Sequence, residues 1–165
     1  MRQWFLIVAG LMLLSARPLS AASVTASMDV RATVIGNCRV SVTDLSFGDY
    51  DPLGFHSQAS LDASATLNLV CTKDLAVVVS LDQGRHSTSA RSVRQLELGT
   101  YRLDYQLYRD SARQAIWADG EFGERVAGTG LISSAVEVTV FGRIPGGQVV
   151  PAGAYTDVVT AKVDF

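Results

Sequence analysis

Ser23-Val-Thr-Ala-Ser-Met-Asp-Val-Arg-Ala-Thr-Val-Ile35 is written in period two. Val24, Ala26, Met28, Val30, Ala32 and Val34 fall on even numbers; Thr25, Ser27, Asp29, Arg31 and Thr33 fall between them. That alternation predicts a long β-strand with one apolar face. The pattern recurs along the chain. Val40 and Val42 continue it after Cys38, Leu67, Leu69 and Cys71 repeat it, and Leu75–Leu81 is a short valine-rich run suited to a buried strand. Tyr101, Leu103, Tyr105 and Leu107 alternate with polar residues, as do Val136, Val138 and Val140 and, at the end, Val159, Ala161, Val163 and Phe165. No segment of similar length shows a helical period; Ser87–Leu98 is read as at most a turn of helix. Gly- and Ser-rich connections lie at Gly84–Ser92 and Ala118–Gly130. About seven strand-like segments without helices predict an all-β sandwich of immunoglobulin-like size.

Upstream of Ser23 the sequence is of another kind. Arg2 precedes an uncharged apolar run from Trp4 to Leu14, and small residues lead to Ser20-Ala-Ala22. A basic start, a short apolar core and a small-residue ending read as a secretory signal peptide over residues 1–22. The run is about half of what a bilayer requires, which argues against a membrane span. Removing it leaves 143 residues, enough for one domain, and takes the formal charge from −2 to −4. A mildly acidic chain offers no electrostatic footprint for nucleic acid.

Export decides how Cys38 and Cys71 are read. They are the only two cysteines, and in an oxidising compartment the expected state is a disulfide. Their spacing does not suit Cys-x-x-Cys redox chemistry.

Candidate chemistry is sparse. His56 and His86 sit in loop-like stretches, and two histidines with two cysteines do not compose a zinc site. Asp49 and Asp51 flank Tyr50 ahead of Pro52; a turn accounts for them, with a calcium site as the alternative. Arg85, Arg91 and Arg94 read as a solvated basic loop, or as a contact for an acidic polymer. Tyr105, Tyr108 and Trp117 offer enough aromatic surface for a sugar platform, although core packing is the simpler reading. There is no Gly-x-Ser-x-Gly elbow, and Gly128-Thr-Gly130 is too short for a phosphate loop. No enzyme activity and no cofactor is expected.

A strand at a chain end can also serve a neighbouring molecule by β-augmentation. An ordered set of motifs favours that reading. Phe47-Gly-Asp-Tyr-Asp-Pro52, the Cys71 strand, Leu81-Asp-Gln-Gly84, Tyr105-Gln-Leu-Tyr-Arg-Asp110, Ile116-Trp-Ala-Asp-Gly120, Val140-Phe-Gly-Arg-Ile-Pro-Gly-Gly-Gln148 and Val150-Pro-Ala-Gly-Ala-Tyr-Thr-Asp157 run in one order. Together they resemble the spore coat protein U family, and within it the subunits of archaic, Csu-type chaperone–usher pili. The resemblance implies an incomplete immunoglobulin-like sandwich over residues 36–165, completed by donor-strand exchange. It implies that residues 23–35 are the donor strand, with Ala26, Met28, Val30, Ala32 and Val34 as plug residues. The family-motif positions Phe47, Gly48, Tyr50, Pro52, Tyr105, Trp117, Gly142, Pro145, Gln148, Pro151, Gly153, Tyr155 and Asp157 would then be structural. The partners implied are identical or related pilin subunits, a periplasmic chaperone and an outer-membrane usher, on a route through the periplasm to the cell surface, where the fibre serves attachment and biofilm formation. The alternative is a secreted monomeric β-sandwich that binds a ligand, as a tip adhesin or a coat component.

Overall fold

The computed structural model describes residues 22–87, 93–117, 124–127 and 136–165. The expected signal peptide, apart from Ala22, lies outside the described residues, as does Arg91. Eight strands run in chain order: β1 (Cys38–Val42), β2 (Leu61–Cys71), β3 (Ala76–Leu81), β4 (Arg94–Leu98), β5 (Tyr101–Tyr108), β6 (Glu124–Ala127), β7 (Val136–Ile144) and β8 (Ala161–Asp164). They form a five-stranded sheet in the order β1-β2-β7-β5-β4 and a three-stranded sheet in the order β6-β3-β8. Every strand pair is antiparallel.

Period two places the core. Ala65, Leu67 and Leu69 of β2, Leu103, Tyr105 and Leu107 of β5, and Val140 and Ile144 of β7 are buried on the inner face of the larger sheet. Val77, Val79 and Leu81 of β3 are buried on the smaller one. The fold is the all-β sandwich that the alternation predicts.

Two segments correct the sequence reading. Residues 94–98 form β4, paired along its length with β5, in place of a helical turn. Arg94 belongs to no solvated loop: it is fully buried. Its Nε donates to the Asp82 carbonyl at 2.9 Å, Nη1 to Gln106 Oε1 at 3.0 Å, and Nη2 to the carbonyls of Leu81 and Trp117 at 3.1 and 2.7 Å. A guanidinium can be buried when its fixed fork of donors meets this many acceptors. The connection after Trp117 also holds a strand, β6.

Residues 22–33 belong to a compact unit separate from residues 34–165. The expected long strand there belongs to no sheet in this chain, and Val24, Met28 and Val30 are exposed, Met28 to 83%. A strand needs a partner for its N–H and C=O groups, and the chain offers none to this segment among the described residues.

Candidate functional site: an open groove between two edge strands

Cys38 is bonded to Cys71, with Cα atoms 4.1 Å apart across the first rung of the β1–β2 ladder. The bridge staples the start of β1 to the end of β2. Thr72 adds to it: its N–H donates to the Asn37 carbonyl at 2.8 Å and its Oγ1 accepts from the Asn37 N–H at 2.9 Å.

Past this staple β1 is, among the described residues, an edge of the sheet. Val40 and Val42 face Leu69 and Leu67 directly in the antiparallel register. Opposed residues of an antiparallel pair share one face. Leu67 and Leu69 are nonetheless buried, whereas Val40 and Val42 are 45% and 53% exposed. The inner face of the larger sheet is therefore covered over β2 and bare over β1. Across from β1, strand β8 is paired only with β3 among the described residues. Between the two edges lies a cavity of about 400 Å³ lined by Val42, Leu45, Leu107, Val140, Val159 and Ala161, among others.

The groove continues beyond β1. The apolar parity slips from Val40 and Val42 to Leu45 and Phe47, and these two side chains turn in over the sheet. A Cβ on Gly142 would lie 2.9 Å from Phe47 Cζ and 3.0 Å from Leu45 Cδ1, so glycine is what lets them sit there. Phe47 also meets the Tyr105 ring edge-on, with centroids 6.0 Å apart. A second cavity of about 710 Å³ follows, between residues 45–52 and 150–155; Pro52, Pro151, Gly153 and Tyr155 line it. Leu45, Phe47 and Leu96 border both cavities.

The remaining motif residues hold the walls. Gly48 takes the left-handed conformation at φ 78° that turns the chain after Phe47. The Tyr50 hydroxyl donates to the Pro145 carbonyl and accepts from the Gln148 N–H, both at 3.0 Å. Gln148 spans to β5, accepting from the Asp104 N–H at 2.7 Å and donating to its carbonyl at 2.9 Å. Tyr155 donates to the Pro151 carbonyl at 2.9 Å. Asp157 lines the groove and accepts from the Tyr105 hydroxyl at 2.7 Å; burial, reinforced by this carboxylate, raises the phenol's pKa. Trp117 is fully buried, with Nε1 donating to the Val79 carbonyl at 3.1 Å, and Tyr105 is buried too, so neither contributes to a sugar platform.

The histidines and the acidic turn have structural partners. His56 is buried, stacks on Tyr50 at 5.1 Å and accepts the Asp51 N–H through Nδ1 at 2.9 Å. Asp51 Oδ1 accepts from the Leu53 and Gly54 N–H groups, which is the geometry of a turn. His86 lies 3.1 Å from an Asp157 carboxylate oxygen and 3.4 Å from one of Glu97. No group of three or more His, Cys, Asp and Glu side chains is placed to hold a metal among the described residues.

What the arrangement offers is an apolar trough between β1, which pairs with β2, and β8, which pairs with β3, with no strand laid between them among the described residues. The chain belongs to the Spore Coat Protein U domain family, whose profile it matches over residues 24–162. That is a structural family and not an enzyme family. It is similar to Protein U of Myxococcus xanthus, 34% identical over 96% of this chain and 94% of that protein. Among solved structures it is similar to one chain of the CsuC–CsuE chaperone–tip adhesion subunit pre-assembly complex from the archaic chaperone–usher Csu pili of Acinetobacter baumannii. The identity is 22% and the TM-score 0.54, covering 81% of this chain and 40% of that one. The likeness is one of fold, and this chain spans two-fifths of that chain's length.

Arg94, expected in a solvated basic loop, lies outside the groove lining and inside the core. Its parity with Leu96 and Leu98 is the signal that marks it as inward-facing.

Proposed function

We propose that this protein is an exported structural subunit of a chaperone–usher surface fibre, polymerising head to tail by donor-strand complementation. The observation that carries the reading is the unequal burial of β1 and β2: Val40 and Val42 point inward and stay exposed beside buried Leu67 and Leu69. One more strand laid between β1 and β8 covers them. Residues 23–35 have the matching character, an alternating segment without a sheet of its own. Its plug residues Ala26, Met28, Val30, Ala32 and Val34 each gain about 0.8 to 3 kcal/mol on burial, and new ladder bonds on both sides add modest terms. A segment that leaves one subunit and fills the next is a heterologous contact, which propagates as an open filament.

On this reading a periplasmic chaperone covers the groove before assembly and an outer-membrane usher exports the fibre, whose service is surface attachment and biofilm formation. The fold likeness to one chain of a chaperone–tip adhesion subunit complex supports the chaperone and pilin partners, and the usher is proposed with them. Residues 1–22 act as the export signal, 23–35 as the donor and 36–165 as the acceptor domain.

The deciding experiment compares Met28→Asp with Ser27→Asp in the full chain co-expressed with its chaperone. A charge at Met28 is buried without a partner in the neighbour's groove and abolishes fibres while the chaperone complex still forms. The same charge at Ser27 faces outward and is tolerated. Loss of the complex itself in Met28→Asp would place the strand inside its own subunit, as a secreted monomeric sandwich requires.

A further inference from the structure

We propose that Leu53 and Phe55 are a second contact between neighbouring subunits, packing against Ile35, the root of the segment that the adjacent copy inserts. The inference rests on the donor-strand reading and adds to it an interface outside the groove.

Leu53 and Phe55 are 89% and 74% exposed. They stand on a rigid loop. Asp51 Oδ1 holds the N–H groups of Leu53 and Gly54 at 3.1 and 2.9 Å, the Ser57 hydroxyl donates to the Gly54 carbonyl at 2.7 Å, and His56 is fixed between the rings of Tyr50 and Phe55. Two bulky apolar side chains held out on a preorganised loop cost little ordering entropy on contact. Such exposure marks an interaction surface more readily than scattered apolar residues do.

The partner follows from the polarity of the subunit. The groove has two distinct ends. At one are the Cys38–Cys71 staple and the close of β8, and the segment's root, Ile35, leaves from there. At the other are Pro52, which lines the second cavity, and beside it Leu53 and Phe55. In a linear head-to-tail fibre each copy is displaced along the direction in which its segment points. The root end of one copy then faces the Leu53–Phe55 end of the next, and the segment enters there. At about 3.3 Å per residue, residues 23–35 reach about 40 Å, enough to run from that end back toward the staple. The inserted strand is thereby parallel to β1 and antiparallel to β8. Ile35 comes to lie at the groove mouth, and it is itself 75% exposed in the single chain.

The test begins with wild-type fibres. Hydroxyl-radical footprinting should show labelling of Leu53 and Phe55 reduced several-fold in fibres relative to the unassembled chain; equal labelling overturns the contact. The double variant Ile35→Cys with Phe55→Cys should give a covalent ladder on oxidation of fibres, while each single variant gives none. Fibres without a ladder, or dimers from Ile35→Cys alone, overturn the contact and leave the donor reading standing. A wild-type chain that forms no fibres with its chaperone and usher overturns the donor reading and this contact with it.

Discussion

Arg94 Nη2 donates to the Trp117 carbonyl at 2.7 Å, while Trp117 Nε1 donates to the Val79 carbonyl at 3.1 Å. The pair joins β4 to β3 through the middle of the sandwich. Replacing Arg94 with Ala strands the carbonyls of Leu81, Asp82 and Trp117, each buried acceptor costing about 1–3 kcal/mol when unmet. A loss of about 3–5 kcal/mol is expected, the range for breaking a buried charged network. Arg94→Lys should recover only part of it, because an ammonium lacks the fork. Chemical denaturation of the chain complemented by a peptide of residues 23–35 measures both.

Free-thiol titration of the denatured, unreduced protein should find no reactive thiol, since Cys38 and Cys71 are joined across a sequence separation of 33. In the chain-entropy treatment such a loop contributes about 3–4 kcal/mol. Cys38→Ser should lower periplasmic yield through stability, with the purified chaperone complex depleted in proportion.

Gly142→Val should open the groove wall. Its side chain would displace Phe47 and Leu45 from the inner face of β7, and overpacking of this kind costs about 1–3 kcal/mol. Loss of the Phe47–Tyr105 ring contact, seen as a change in near-ultraviolet circular dichroism, should accompany weaker binding of the 23–35 peptide. Unchanged peptide affinity would show that the wall plays no part in seating the strand.

Acid should loosen the β8 side of the groove. Asp82 accepts from the N–H groups of Thr160 and Gly84, both at 2.9 Å. Burial opposes its ionisation, yet these N–H groups prevail and hold its pKa below the ordinary 3.8. The unfolded chain therefore binds the proton first on acidification. The stabilisation is complete well above pH 3.8 and is lost as pH falls through the depressed folded value. Asp82→Asn should remove this part of the acid limb in denaturation curves taken between about pH 2 and 6. A superimposable limb in the variant would assign the acid sensitivity to other carboxylates.

Much of this molecule is legible in period two. The alternations at Leu67–Cys71, Tyr101–Leu107 and Val136–Val140 become β2, β5 and β7, because a half-buried strand must alternate to keep one face apolar. The expectation of export, together with the cysteine count, foretells the bridge. β4 stayed hidden because its inward position 94 carries a guanidinium, whose burial is tolerable only where four acceptors converge from β3, β5 and the Trp117 turn. β6 stayed hidden in a Gly-rich stretch of four paired residues.

What the sequence determined by itself is local: which residues share a face, that the chain is all-β, and that residues 23–35 carry a strand's pattern. Tertiary structure alone decided which faces are covered. Val40 and Leu69 carry the same apolar signal, and only the order β1-β2-β7-β5-β4 puts one at a bare edge and the other under the second sheet. Leu53 and Phe55 look like ordinary loop residues until the Asp51 turn and the Tyr50–His56 stack are seen to hold them outward at one end of the groove. Alternation is set by the geometry of a single strand, whereas openness depends on how many strands the rest of the chain supplies to cover it.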